Sequence, residues 1–500
     1  MGILEKLDPV LKVLPSIKKS DTPLSLREKL KWTGIVLAVY FMLFSIPAIG
    51  TSSAVLSNPS YQLINIIFAA KIGSLITVGI GPIVLASIVL QMLQGAGVFK
   101  VDMQDPEQKA RMQGVQKLIA IVIAFVEAFV FVATGYVPIA LPSLFQLVAI
   151  QLAIGAIAVI YLDEIMAKYG LTSGINMFIA GGVAYSLVAG TINIIIPEAL
   201  CALGVSLSST LVCTSGGATA IPNAILAFGP LFFAAIVFLV SIYAYDIKVE
   251  LPLVFSQFRG VGGRLPIPLL YTSVLPVILA TSFTLSLTVW FRFIANATGS
   301  LASLAKFIAY YTPVTAGAAT TLNLAGGILY LISPQFPLPY SAANGGIGGY
   351  STYFNYLATQ SSQLYLPWGG LVLVPEWVHI IMYTLFLVGL CVIFGRFWIE
   401  MTGQNPKNVA SQLQDVGWQI PGFRRDPRII ESVLNKYIPT IAILGSAFVG
   451  LLAALATLTG AVGTGVGILL TVGIMYMIYQ QLEQEGQLGA VPGIEKVLSS

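Results

Sequence analysis

Apolar residues along the chain gather into long runs separated by short polar or charged stretches. A helix needs about 20 apolar residues to cross ~30 Å of hydrocarbon. Ten segments meet that requirement, near 32–50, 74–94, 115–134, 143–162, 174–196, 223–244, 271–291, 377–398, 438–458 and 464–482. Two other stretches are apolar but too short. "NPSYQLINIIFAAKIGS", residues 58–74, opens like a helix at Asn58-Pro59-Ser60 and is stopped by Lys71 and Gly73. Its apolar centre, Leu63 to Ala70, is half a span beside a whole one. "ILEKLDPVLKVLPSIKK" sets Ile3, Leu4, Leu7, Val10, Leu11 and Leu14 at helical spacing with Lys and Glu between them. That pattern predicts an amphipathic helix in the membrane interface, bent at Pro9.

Ten spans put both termini on one side. On this count all but three of the 25 Lys and Arg share the side of the termini, and only Lys71, Arg292 and Lys306 lie opposite. The positive-inside rule therefore makes the termini cytoplasmic. It also argues against an eleventh span in "FIAYYTPVTAGAATTLNLAGGILYLI", 307–332, which would carry Arg396 to Lys436 outside. Residues 294–375 read as one external segment on, or dipping into, the membrane surface. Within it "SAANGGIGGYSTYFNY" has no helical period.

Composition agrees with a polytopic membrane protein. The chain is 57% apolar and 9% charged, with mean hydropathy +0.88, whereas soluble domains carry roughly 25% charged residues. No stretch before the first span reads as a cleaved signal peptide. Three cysteines make no disulfide framework. Cys201 and Cys213 share one loop, where they either pair or stay free, and Cys391 lies inside a span.

Catalytic chemistry is missing. There is no phosphate-binding GxxxxGK[ST] loop, and "GTGVG" at 463–467 reads as close helix packing by small residues. The single histidine, His379, has no second histidine for a metal and no nucleophile set around it. The reading is no enzyme, no cofactor and no metal. Glu127, in "AFVEAFVF", is the one ionisable residue well inside a span, while Asp163, Glu164, Arg292 and Glu376 sit at span ends, where interfacial water accounts for them. Two loops, "VFSQFRGVGGRLPIPLLY" and "GWQIPGFRRDPRIIESVLNKYIP", are long and basic. They suit an anionic or acidic docking partner, nucleic acid included.

With the spans placed, "GSLITVGIGPIVLASIVLQML" (73–93) resembles the second span of the SecY family, the alpha subunits of the Sec protein-conducting channel. "YGLTSGINMFIA" (169–180) resembles the start of its fifth span, and "FSQFRGVGGRLPIPLLYTSVLPVILA" (255–280) its sixth loop and seventh span. "NKYIPTIAILGSAFVGLLAALATLTGAVGTGVGILLTVGIMY" (435–476) resembles spans nine and ten. The N-terminal surface helix and "GFRRDPRIIE" look like the archaeal and eukaryotic branch.

The resemblance implies an all-α fold of ten transmembrane helices in two pseudo-symmetric inverted five-helix halves around a central pore. The expected divisions are a cytoplasmic lead-in (1–31), an N-terminal half (32–196), an external hinge loop (197–222), a C-terminal half (223–482) with cytoplasmic loops 245–270 and 399–437, and a cytoplasmic tail (483–500). The half-span at 58–71 would be a plug, with Tyr61, Leu63, Ile64, Ile66, Ile67 and Phe68 packed into the external funnel. The pore ring would be Ile80, Val84, Ile175, Ile179, Ile278 and Leu470, with Leu469 the runner-up for the last. The 80/84 and 175/179 pairs are spaced i, i+4 on one helical face.

A lateral gate between spans two and three and spans seven and eight would carry Thr77, Ser87, Gln91, Glu127 and Ser286. Relatives often place an amide where Ser286 stands, which weakens the case for a hydrogen bond across to span three. Arg259, Arg264, Arg424 and Arg425 would dock a ribosome or a cytosolic motor, since guanidinium pairs bidentately with phosphate. The implied partners are a SecE/gamma-type single-span subunit, a beta-type small subunit, the ribosome, signal sequences and nascent polypeptides, and the lipid bilayer. The implied setting is the cell membrane. The alternative, a secondary solute transporter with inverted repeats, needs several ionisable groups near the midplane, and Glu127 alone is available.

Overall fold

A computed structural model describes residues 14–18, 24–51, 70–95, 106–203, 220–255, 262–271, 275–294, 301–316, 319–334, 336, 349–367, 370–415, 418–419, 427–463 and 465–484. In the first half these form α1 (Leu26–Ser45), α2 (Gly81–Gly95), α3 (Pro106–Ala133), α4 (Phe145–Tyr169) and α5 (Gly174–Gly190). A π-helical turn, Thr191–Ile195, carries α5 on into the short α6 (Ile196–Ala202). In the second half come α7 (Ala220–Ala227), α8 (Gly229–Asp246), β1 (Lys248–Phe255), β2 (Gly262–Pro268) and α9 (Leu275–Ile294). Then follow α10 (Leu301–Ile308), β3 (Tyr310–Ala316), β4 (Ala319–Gly326), α11 (Ile328–Ile332), α12 (Tyr350–Thr359), β5 (Ser361–Tyr365) and β6 (Leu371–Pro375). The chain closes with α13 (Glu376–Met401), α14 (Pro406–Asp415), β7 (Trp418–Gln419), α15 (Pro427–Leu458) and α16 (Gly465–Gln484).

Among the described residues, seven helical runs are long and apolar enough to cross a membrane: those of α3, α4, α5 with α6, α8, α9, α13 and α15. α2 and α16 hold shorter apolar stretches, Gly81–Gln94 and Val466–Gln480. α1 falls on the first predicted span but starts earlier. A capping box explains this: the Glu28 N–H donates to Ser25 Oγ at 3.4 Å while the Ser25 N–H donates to Glu28 Oε2 at 3.0 Å.

The second span departs from the predicted 74–94. Its helix begins only at Gly81, and residues 71–80 are a series of turns. Gly73 and Gly79 take φ of 86° and 58°, a backbone that interrupts a right-handed helix. At 15 residues α2 is about 22 Å long, short of the bilayer core. Non-helical backbone at membrane depth survives only inside protein, and Ile76, Val78 and Ile80 are all fully buried. The lead bonds itself: Thr77 N–H donates to the Ser74 carbonyl, Gly79 N–H to Ile76 and Gly81 N–H to Val78.

The lead of α2 has a counterpart before α9. The Leu75 N–H donates to the Ile46 carbonyl at 3.0 Å, and the Leu269 N–H donates to the Ile247 carbonyl at 2.8 Å. Ile46 caps α1 and Ile247 caps α8, both in extended backbone (φ −79°, ψ 116° and φ −70°, ψ 117°). Beside them, Pro47 pairs with Ser74 as an isolated bridge and Lys248 pairs with Pro268 as the first rung of β1–β2. The two halves thus share one backbone design at this junction.

The external segment is more structured than its sequence suggests. β3 and β4 form an antiparallel hairpin, β4 meets β5 in parallel, and β5 pairs antiparallel with β6, giving a four-stranded sheet. Residues 307–332 hold this hairpin and α11 rather than a spanning helix. Part of the stretch read as lacking a helical period, from Tyr350 on, is α12. Its buried face, Tyr350, Tyr353 and Leu357, is anchored at the end of α15, where Tyr353 OH donates to the Leu458 carbonyl at 2.5 Å and Tyr350 OH to Thr459 at 2.9 Å. Those partners are distant in sequence, so no local period announces the helix.

On the opposite face β1 lies between β2 and β7. Among the described residues of the N-terminal segment, 15–18 lie against the ends of α3 and α4, and the amphipathic helix expected over Ile3 to Leu14 falls outside the described residues apart from Leu14. Cys201 is disulfide-bonded and Cys391 is a buried free thiol. Cys213 lies outside the described residues.

Candidate channel site

The largest apolar cluster lies where the halves meet, and it draws the six ring candidates together. Ile80, Val84, Ile179, Ile278 and Leu470 are buried members, and Ile175 packs against it. They come from the α2 lead and α2, from α5, from α9 and from α16. Ile80 precedes its helix, yet the Val84 N–H donates to its carbonyl at 3.2 Å, so the i, i+4 relation stands. Leu469 belongs to the same cluster.

The seam between the halves is closed. α2 packs against α9 and α13, and α3 packs against α9. A second cluster joins Ala124, Ala128 and Phe131 of α3 to Leu285 and Val289 of α9. The polar candidates behave differently from one another. Thr77 sits in the lead, where its hydroxyl accepts from Gly73 N–H at 3.0 Å and donates to the Ser74 carbonyl at 2.6 Å. Ser87 accepts from Gln116 Nε2 at 2.8 Å, which ties α2 to α3 within one half. Gln91 Oε1, Glu127 Oε2 and Ser286 Oγ are buried without a hydrogen-bond partner, as is Ser282 Oγ one turn before Ser286. Each such group costs about 1–3 kcal/mol when sealed from water.

Two ionisable residues expected at watery span ends are inside protein. Glu376 is 2% exposed: its Oε2 lies 2.9 Å from His379 Nδ1, and its Oε1 accepts from Tyr330 OH at 3.1 Å. His379 Nε2 lies 2.9 Å from the Ser333 carbonyl oxygen, and Phe336 stacks on the ring. Arg292, 4% exposed, lies over the Tyr136 ring. Asp163 Oδ1 accepts the Ile175 N–H at 2.9 Å at the start of α5. These partners belong to other segments or to folded turns, which is why the sequence assigned them to water. No group of His, Cys, Asp and Glu suited to a metal occurs among the described residues.

Of the docking arginines, Arg264 lies on β2, exposed, with Nη1 2.6 Å from Glu250 Oε2 on β1. The Glu250 carboxylate raises the Arg264 pKa above its ordinary value. Arg259, Arg424 and Arg425 lie outside the described residues, as do Tyr61, Leu63, Ile64, Ile66, Ile67 and Phe68. The strands flanking the arginine loops nevertheless pair: Val254 with Gln419 and Phe255 with Trp418. Nothing in the local pattern signals that the two basic loops rise from one sheet.

Inverted halves around a sealed apolar centre, entered by a broken span, define a multi-pass membrane channel. The SecY family model matches residues 74–479. The protein translocase subunit SecY of Methanocaldococcus jannaschii is 36% identical over 99% of this chain and 100% of its own length. A solved SecY translocation channel, whose plug domain stabilises the closed state and maintains a membrane seal, superimposes with a TM-score of 0.74 at 33% identity, covering 97% of this chain and 99% of that one. Sec61 in the canine ribosome–channel complex from the endoplasmic reticulum gives a TM-score of 0.72 at 33% identity, with the same coverage. The chain belongs to the SecY family. It is the pore-forming subunit of a protein translocase, a passive channel and not an enzyme, and the solute-transporter alternative is set aside.

Proposed function

We propose that this chain seals its resting pore with a ring of Ile80, Val84, Ile175, Ile179, Ile278 and Leu470, and opens sideways between α2–α3 and α9–α13. The supporting observation is the gathering of five of the six side chains in one apolar cluster between the halves, with Ile175 packed against it. A narrow apolar constriction excludes water and ions by dewetting. Five of the six are β-branched, and their stiff χ1 angles hold the ring's shape. The segment 58–71 is the plug, and the hinge is the loop at 197–222. The partnerless Gln91, Glu127 and Ser286 weaken the closed seam, so an arriving apolar signal segment tips the balance toward opening.

Arg259, Arg264, Arg424 and Arg425 dock a ribosome from the cytoplasmic face. The pairing of β1 with β7, which holds the two loops side by side, supports that reading, as does the ribosome-bound relative. A gamma-type single-span subunit and a beta-type small subunit complete the assembly in the cell membrane, with both termini cytoplasmic.

The test is site-specific crosslinking from a probe at Ile179 to a stalled secretory nascent chain, in membranes holding this protein. A signal-dependent crosslink is expected. Its absence from folded, ribosome-bound protein would remove the ring assignment. Reversing Arg424 and Arg425 to Glu should weaken ribosome binding while the membrane core stays folded, and unchanged binding would remove the docking role.

A further inference from the structure

We infer that Gly155 and Gly445 are paired positioning residues, each the seat that holds the lead of one pore helix, and that α2 and α9 pivot about these seats when the channel opens. The inference rests on the lateral-gate reading above. Gly155 lies in α4, and a β-carbon built on it would overlap the carbonyl of Leu75. Gly445 lies in α15, and a β-carbon there would overlap the carbonyl of Leu269. These are the two residues whose N–H groups bond the caps of α1 and α8. Leu75 stands as far ahead of Gly81, the first residue of α2, as Leu269 stands ahead of Leu275, the first of α9. Each lead is therefore fixed on both sides of one residue: by its N–H to the preceding span, and by its carbonyl in a glycine notch of a third helix.

What fills each notch is backbone. Gly181 differs, because its nearest neighbours are the ring atoms of Phe41, which can turn aside. A backbone carbonyl whose own residue is bonded through its N–H cannot, so an added methyl moves the whole lead. Glycine permits such close backbone approach, and any larger residue separates the elements. Ile80 and Ile278 follow these leads into the central cluster, so each seat sets the height of one ring residue. The residues they seat, Leu75 and Leu269, stand at the C-terminal ends of α1 and α8.

The full chain, reconstituted in planar bilayers, tests this with Gly155→Ala and Gly445→Ala. Gly389→Ala is the control, because a β-carbon on Gly389 of α13 meets nothing. Closed-state conductance per channel should rise severalfold in each seat variant and stay unchanged in the control. Folded seat variants that lose thermal stability but conduct like the parent would overturn the inference. Should either variant fail to fold, spin-label distances in the parent background decide. Labels on Lys71→Cys and Ile154→Cys report the α2 seat, and labels on Met92→Cys and Ile393→Cys report the far end of α2.

On adding a synthetic signal peptide with a basic end and an apolar core, the far-end distance should lengthen while the seat distance holds. Lengthening at both pairs would overturn the pivot and leave the gate standing. No change at either pair would overturn the gate reading and the pivot with it.

Discussion

The carboxylate of Glu164 lies 2.5 Å from the ammonium of Lys117, joining α4 to α3 at the face where the chain begins. The same carboxylate pairs with Lys168 at 2.7 Å and accepts the Ile17 N–H at 3.1 Å. Lys117 also donates to the Pro15 carbonyl at 2.6 Å, Lys168 donates to the Ile17 carbonyl, and Tyr169 OH donates to the Lys18 carbonyl at 2.7 Å. One acidic side chain thus organises the docking of residues 15–18. Glu164→Gln leaves two part-buried lysines without their counter-charge, at a cost of about 1–3 kcal/mol. A lower melting temperature is expected, with faster amide exchange at Ile17. Unchanged exchange there would show that the segment is held by other means.

The ring assignment predicts a leak. Ile80→Ser combined with Ile179→Ser places hydroxyls in the centre of the apolar cluster and favours its wetting. Closed-channel ion conductance should rise well above that of either single variant. Conductance equal to the parent would show that these side chains do not form the constriction.

His379 binds the external segment to the top of α13 through Glu376 on one side and Ser333 on the other. His379→Ala removes the contacts to Glu376 and Ser333 and should cost about 1–3 kcal/mol. The loss should appear as faster hydrogen exchange around Ser333 before the membrane helices unfold. His379→Gln, which keeps a polar contact, should recover part of it.

The cap of α1 responds to acid. The Ser25 backbone N–H, followed by its side chain, lowers the Glu28 pKa below its ordinary value. The folded pKa lies below the unfolded one, so the cap's contribution is present at neutral pH and is lost as pH falls through the folded value. Exchange of the first-turn amides should accelerate in acid, and Glu28→Gln should abolish that pH dependence.

The long membrane helices were legible because each needs a long apolar run and few sequences supply one by accident. Their inner ends were not. The turns before α2 depend on Gly73, Gly79 and a tertiary carbonyl partner, and apolarity looks the same whether the backbone coils or turns. The external sheet was hidden for a related reason: "LVLVP" in β6 is as apolar as a span and shows no alternation, because its residues are exposed or half-buried throughout. Arg292 and Glu376 looked solvated because Tyr136, His379 and Tyr330 are brought to them by the fold. The ring residues carry no local mark at all; each is an ordinary aliphatic residue, and only likeness to a family singled them out. A clue to the seats does exist in the sequence. Gly155 is followed by Ala156 and Gly445 by Ser446, a small pair in the middle of a span in both halves.

The rungs Pro47–Ser74 and Lys248–Pro268 mark the same junction in each half. A change of chain length between the two sides of a rung need not shift the register of the helices on either side of it. One copy of the junction encloses the proposed stopper and the other the basic hairpin. Sealing and docking are then separately evolvable properties: a lineage can retune its leak without altering what it grips, and can change its cytosolic partner without re-engineering its pore.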